Sequence, residues 1–244
     1  MAALIAGALM AFGPAHAEYP NDKPLTVISP YAAGGANDFL TRLMAKELGE
    51  ELKINAIADN KAGANGVVGA SFVVKAQPDA YTLLMGNSAT HGTNPTLYPD
   101  APYDAVKDFE PVGMVGAVPI VLAIHSGLGI NSIQELIEYG KKNPGKLSFS
   151  SSGVGGTGHL AGETFKMKTG LDIVHVPYKG DAPATTDAMG GQVSMAFVGV
   201  ASAAPQLASG KIKILAVAHP VTFHRIGASI FRHLGAIKTP VLNA

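Results

Sequence analysis

Apolar positions along the chain follow two alternating rhythms, one of period two and one of helical period. Leu25–Ser29 (LTVIS) is a short β-branched run behind a proline and predicts a buried strand. Phe39, Leu40, Leu43, Met44, Ala45 and Leu48 then recur at helical spacing, with Asn37 or Asp38 placed to cap the helix. A strand over 54–57, a small-residue helix over 65–76 and a strand over 81–85 (YTLLM) continue the series. Strand and helix in alternation predict a parallel sheet with helices on both faces.

From 112 to 124 the pattern becomes strand-like and nearly continuous, interrupted by Pro119 in a way that suits an edge or crossover. Ser132-Ile-Gln-Glu135 reads as a capping box, and Asn143-Pro-Gly145 stops the helix it opens. Strands over 147–150, 173–176, 193–198 and 212–217 then alternate with helices over 159–168, 184–189 and 203–207. This second unit has the size of an ordinary domain.

The two ends differ from this pattern. Residues 2–12 form an uncharged apolar run, broken at Pro14 and followed by Ala15-His16-Ala17. That is the h-region and small-x-small site of an export signal, too short to span a bilayer. Cleavage is expected near Ala17, although no Lys or Arg precedes the run. Residues 219–244 hold no acid but carry Arg225, Arg232, Lys238 and three histidines. They read either as a surface helix or as a terminus foreign to the fold.

Composition narrows the classes. Lys+Arg and Asp+Glu balance at 18 each, which gives no basic surface for nucleic acid. Cysteine is absent, so disulfides, thiol catalysis and thiolate metal sites are excluded. No hydrolase or zinc motif occurs, and the histidines lack ligand spacing. No metal and no cofactor is expected. Glycine reaches 29 residues and gathers in four loops that follow predicted strands. These are 29–38 (SPYAAGGAND), 86–94 (GNSATHGTN), 150–162 (SSSGVGGTGHLAG) and 177–184 (PYKGDAPA). In an open parallel sheet, ligands bind outside the carboxyl ends of strands. Close backbone, helix starts and hydroxyls suit an anion without any arginine. His91 and His159 stand out because both lie in such loops. Gly153-x-Gly155-x-x-Gly158 also matches a dinucleotide fingerprint, with Asp172 at about the 20-residue offset of the ribose-binding acid. However, Asp172 precedes its strand instead of ending it.

Several stretches together are similar to one family: Tyr19-Pro-x-x-Lys-Pro24, Pro30-x-x-x-Gly-Gly-x-x-Asp38, Gln77-Pro-Asp-x-Tyr-Thr-Leu-Leu84 and Ser88-Ala-Thr-His91 with Asn94-Pro95. Others are Pro102-Tyr-Asp-x-x-Lys-Asp-Phe109, Asn143-Pro-Gly-Lys146, Ser151-Ser-Gly153 with His159-Leu-Ala-Gly-Glu163, Val174-His-Val-Pro-Tyr-Lys-Gly180 and Gly190-Gly-Gln-Val193. Over 19–218 the chain resembles the substrate-binding proteins of tripartite tricarboxylate transporters, often called the Bug family. The resemblance implies a two-lobed periplasmic-binding-protein type II-like α/β fold, with lobes at 18–118 and 119–218 after a signal peptide at 1–17. It implies a non-enzymatic periplasmic receptor for a small organic acid, acting as a monomer with a membrane permease or a sensor. Carried over by position, the ligand contacts are Gly34, Gly35, Asp38, Ser88, Thr90, His91, Ser151, Ser152, Gly153, Thr157 and His159.

The chain departs from the family pattern at three places. Val198 and Gly199 stand where Asp-Asn is frequent, and Ala80 follows Asp79 where glycine is usual. Beyond 218 the family pattern is lost, which predicts an incomplete first lobe and a poorly stable product. The rival readings are an exported nucleotide-dependent oxidoreductase using the Gly153–Gly158 loop, and a truncated product without function.

Overall fold

A computed structural model describes residues 19–20 and 23–218. The signal segment and the 219–244 tail lie outside them. The first sheet is built from β1 (Leu25–Ser29), β2 (Ala56–Asn60) and β3 (Thr82–Leu84), all parallel in the order β2-β1-β3. Between them run α1 (Ala36–Leu52) and α2 (Val67–Val74), and α3 (Asn94–Leu97) follows β3. Leu25, Val27, Ala45 and Met85 are buried at its centre, so the β1 side chains face the α1 stripe.

The second sheet holds five strands in the order β6-β5-β7-β4-β8: β4 (Ile120–His125), β5 (Leu147–Ser151), β6 (Ile173–Pro177), β7 (Met195–Gly199) and β8 (Ile212–Ala218). β5 is parallel to β6 and β7, whereas β4 runs antiparallel to β7 and β8. Helices α4 (Ile133–Lys142), α5 (Thr157–Thr169), α6 (Asp181–Met189) and α7 (Val200–Ala203) connect them. Two cores flank this sheet. One contains Leu122, Ile124, Leu136, Phe149 and Phe197, the other Val121, Ala123, Ala184, Ala196 and Val198. Burial on both faces explains why these strands read as continuous apolar runs.

The antiparallel β4 has a consequence for the site. Its first residue, Ile120, pairs with Ala218 at the end of β8. The chain therefore enters the second lobe, and completes it, at the same edge where β5, β6 and β7 end. Pro119 lies at that crossing, and its carbonyl accepts from Val200 N at 2.9 Å.

Several boundaries differ from the sequence reading. The second strand occupies 56–60, not 54–57, because β1 sets the register by pairing Leu25 with Ala56. The expected strand over 112–124 contracts to 120–125. Residues 112–118 find no partner strand among the described residues, and β-propensity is realised only against a neighbour. The small-residue helix starts as a 3₁₀ turn at Ala64–Gly66, where Asn65 takes φ 51°. The N-cap of α1 is Gly35, not Asn37 or Asp38, and Gly35 makes no side-chain cap bond. The capping box of α4 forms as expected on one side, with Glu135 N donating to Ser132 Oγ at 3.1 Å. Glu135 Oε2 accepts instead from Asn131 N at 2.8 Å.

Candidate functional site

The first-lobe loop after β1 is held by its own polar groups. Ser29 Oγ donates to Asn37 Oδ1 at 2.9 Å, and Asn37 Nδ2 donates to Met85 O at 3.0 Å, which ties β1 to β3. Asp38 is buried and accepts from Gly34 N (2.9 Å), Arg42 Nε (3.0 Å) and Asn60 Nδ2 (2.9 Å). Burial raises its pKa, but the bonds from Arg42, Gly34 and Asn60 outweigh that, so it lies below the usual carboxylate range. Gly34 takes φ 82°, a left-handed conformation that turns the loop toward the second lobe.

Beside this loop lies a polar network that the sequence reading did not single out. Tyr31 is buried, and its hydroxyl receives Asn87 Nδ2 at 3.0 Å and donates to Asn65 O at 3.3 Å. Asn65 Nδ2 donates to Asn94 Oδ1 at 3.1 Å, and Asn94 Nδ2 returns to Asn65 O at 3.0 Å. Burial pushes the Tyr31 phenol well above its ordinary value. Thr90 is fully buried within the neighbouring turn, where its Oγ1 accepts from Asn87 N at 2.9 Å and lies 2.8 Å from His91 Nδ1. Ser88 is exposed, and the His91 ring packs edge-on against Phe109 with centroids 4.8 Å apart.

On the second lobe, the loop after β5 closes on two imidazoles. Ser151 is fully buried, with Oγ 2.7 Å from His175 Nε2, and it accepts from Gly153 N at 3.3 Å. Gly155 N donates to His159 Nδ1 at 3.0 Å, so that nitrogen is unprotonated. The His159 and His175 rings lie 4.2 Å apart, with Phe149 stacked on the far side of His175 at 4.7 Å. Burial, then the neighbouring His159, lowers the His175 pKa to about 4. Thr157 is exposed at the start of α5.

The two sets of loops meet. Ala32 N donates to Lys179 O at 2.9 Å, and Thr93 Oγ1 donates to Gly155 O at 2.8 Å. Gly153, at φ 146°, stands so close to Asn65 that an added methyl would lie 3.2 Å from Asn65 Oδ1. Ser152 and the main chain of Ala36 both donate to Asp181, which heads α6 and also accepts from Gly199 N at 3.2 Å. A methyl at Gly35 would lie 3.5 Å from Asp181 Cβ. All four glycine-rich loops therefore meet at one junction between the sheets. Gly34, Gly35, Ser152 and Gly153 lie at its centre. Asp38, Thr90, Ser151 and His159 brace the loops around it, and Ser88, His91 and Thr157 lie on the exposed flanks of the same loops.

Asp181 and Asn65 escaped the sequence reading for different reasons. Asp181 lies in a loop that had been singled out, but its partners Ala36 and Gly199 are remote in sequence. Asn65 shows a local signal only in the Asn-Gly pair, which tolerates left-handed backbone. Gly199 has a clear role: a side chain there would meet Ala36 Cβ at 2.7 Å and Asp181 Oδ2 at 3.0 Å. Among the described residues, no group of three or more His, Asp or Glu is arranged to hold a metal. No described helix is long and apolar enough to cross a membrane.

A two-lobed α/β molecule with strand-end loops facing across a crevice is the architecture of the periplasmic solute-binding proteins. One such protein, solved as a periplasmic transporter, is 43% identical and covers 85% of this chain and 69% of its own, at a TM-score of 0.80. A second, from R. palustris and solved with adipate, is 35% identical over 91% of this chain and 71% of its own, at 0.82. Protein BugT of Bordetella pertussis is 35% identical over 196 residues, which is 80% of this chain and 60% of BugT. The chain belongs to the tripartite tricarboxylate transporter family of receptors, whose family model matches residues 40–226. It spans about three fifths of the length of the curated relatives it matches. The family is one of receptors and not of enzymes, which removes the oxidoreductase reading. The glycines that suggested a nucleotide serve packing instead: a methyl at Gly158 would collide with Phe197 O, and one at Gly155 with Leu97 Cδ1.

Proposed function

We propose that the protein is an extracytoplasmic receptor that captures a small carboxylate in the crevice between its lobes, 18–118 and 119–218. The observation that carries this is the meeting of strand-end loops from both sheets, with bonds at Ala32–Lys179 and Thr93–Gly155. Neither α1 nor α5 has a side-chain cap at its N-cap glycine; Asp181 already accepts from Ala36 N–H at the start of α1, and the remaining first-turn donors of both helices carry partial positive charge. Gly34, Gly35, Ser152 and Gly153 contact the acid. Asp38, Thr90, Ser151 and His159 hold the loops in place, and Ser88, His91 and Thr157 line the flank. The adipate held by the R. palustris neighbour supports an organic acid as ligand. After export and cleavage near Ala17, the receptor acts as a periplasmic monomer and passes its ligand to a tripartite tricarboxylate-type permease or a sensor.

Calorimetric titration of the purified, folded chain tests this with adipate, citrate, tricarballylate, glutamate, aspartate, nicotinate and terephthalate. Saturable binding of at least one acid is expected. A folded sample that gives no heat with any of them refutes the receptor reading.

A further inference from the structure

Two imidazoles stand directly behind the part of the second lobe that meets the first. His159 lies in the first turn of α5, and its Nδ1 accepts from Gly155 N at 3.0 Å. The carbonyl of the same Gly155 accepts from Thr93 Oγ1 of the first lobe at 2.8 Å. His175 on β6 lies 2.7 Å from Ser151 Oγ, which accepts from Gly153 N at 3.3 Å. A methyl on Gly153 would lie 3.2 Å from Asn65 Oδ1 of the first lobe. One ring therefore reaches an interlobe contact through Gly155, the other through Ser151 and Gly153. The rings themselves are 4.2 Å apart.

This arrangement opposes a proton on three counts. A protonated His159 carries N–H on both nitrogens, so Nδ1 no longer accepts and Gly155 N–H would face another donor. A positive charge in the first turn of a helix opposes the partial positive charge of its N-terminus. Once either ring is charged, its neighbour resists a second charge. Among the described residues, the charged groups that face the rings are Glu163 and Lys166. Glu163 Oε1 lies 4.0 Å from His159 Nε2 but is already partnered by Lys166 Nζ at 3.1 Å. The facing groups from β5 and from the first lobe, Ser151, Phe149 and Thr93, are neutral. Burial holds His159 below its ordinary 6.5, with Glu163 pulling the other way and Lys166 adding to the effect of burial.

We propose that the His159–His175 pair is an acid-sensitive catch on the lobe junction: a proton taken up by the pair breaks the Gly155–His159 bond, frees the 153–156 turn from Thr93 and Asn65, and lets the lobes part. The joined form needs neutral rings. It is therefore favoured above the ordinary histidine value, and the parted form gains as pH falls below that value. Glu163 directs the first proton to His159. The catch goes beyond the receptor reading and works without any ligand; on that reading, it makes a bound acid easier to release at lower pH.

The chain has no cysteine, so Glu51→Cys on α1 and Gln134→Cys on α4, both exposed positions, take spin labels at one defined place in each lobe. Pulsed electron paramagnetic resonance of the ligand-free chain then reads the distance between lobes. From about pH 7.5 to about pH 5, the ratio of parted to joined molecules is expected to rise roughly tenfold, with the far-ultraviolet circular dichroism unchanged. His159→Asn keeps an acceptor for Gly155 N that takes up no proton, and its distance should not respond to pH. His159→Ala lacks the acceptor and should be parted at both values. A wild-type distance that stays constant, or an Asn variant that responds as the wild type does, overturns the proposal. If the variants fail to fold, the wild type decides by NMR: the Gly155 amide should move with the midpoint of the His159 ring. A Gly155 amide that stays in place while the ring titrates overturns the catch. Calorimetry with acids at neutral pH judges the receptor reading separately.

Discussion

At His175 burial opposes charge, and the ring also faces a second imidazole, His159, 4.2 Å away. Protonating both would place like charges face to face, while Glu163 and Lys166 pull in opposite directions. Its pKa falls from the ordinary 6.5 to about 4. Between those values the unfolded chain takes up a proton that the folded one refuses. Stability present above pH 6.5 is therefore lost as pH falls toward 4, by on the order of 1–2 kcal/mol once solvent screening is allowed for. Proton NMR of the His175 ring should show a midpoint near 4. A midpoint at the ordinary 6.5 contradicts the burial argument. Residues of this kind were only half legible in the sequence. Asp38 and Ser151 could be picked out because they sit in loops with local signatures. His175 reads as one polar residue in an apolar strand, and its role comes from Ser151 on the neighbouring strand and His159 on the preceding helix.

At the scale of elements, close packing governs where the loops aim. Helix α5 lies so near β7 that Gly158 has no room for a methyl group beside Phe197 O. Gly158→Ala is expected to cost about 2–3 kcal/mol through overpacking and to lower the urea midpoint without changing the slope. Gly92→Ala, with no atom within 4 Å of its added methyl, should leave the midpoint within error. Equal midpoints for the two variants contradict the packing account. The α4 cap and the strands of the second sheet were legible because local chemistry and burial on both faces agree. The segment 98–119 was not. Its Val112 and Met114 are 87% and 86% exposed, and apolar β-branched composition alone does not provide the partner a strand needs. Position 80 has a backbone reason to favour glycine: Ala80 adopts φ 65°, where glycine is at ease and alanine is strained.

On the scale of the whole molecule, function depends on two sheets presenting their strand ends to one another. The alternating pattern predicted the sheets, and the glycine-rich loops predicted which ends carry chemistry. That the loops of one sheet touch those of the other could not be read from periodicity, since contacts such as Thr93–Gly155 join residues with no pattern in common. The family resemblance supplied the two-lobed arrangement, and the geometry then showed why the glycines are where they are. The central claim is that main-chain amides at this junction hold an acid. It is tested most directly by amide NMR during titration with the tightest acid found by calorimetry. The Gly34, Gly35, Ala36 and Gly153 resonances should shift together and saturate, while Gly127 and Gly145, away from the junction, stay in place. Shifts confined to the latter glycines, with the crevice amides unmoved at saturation, would contradict it.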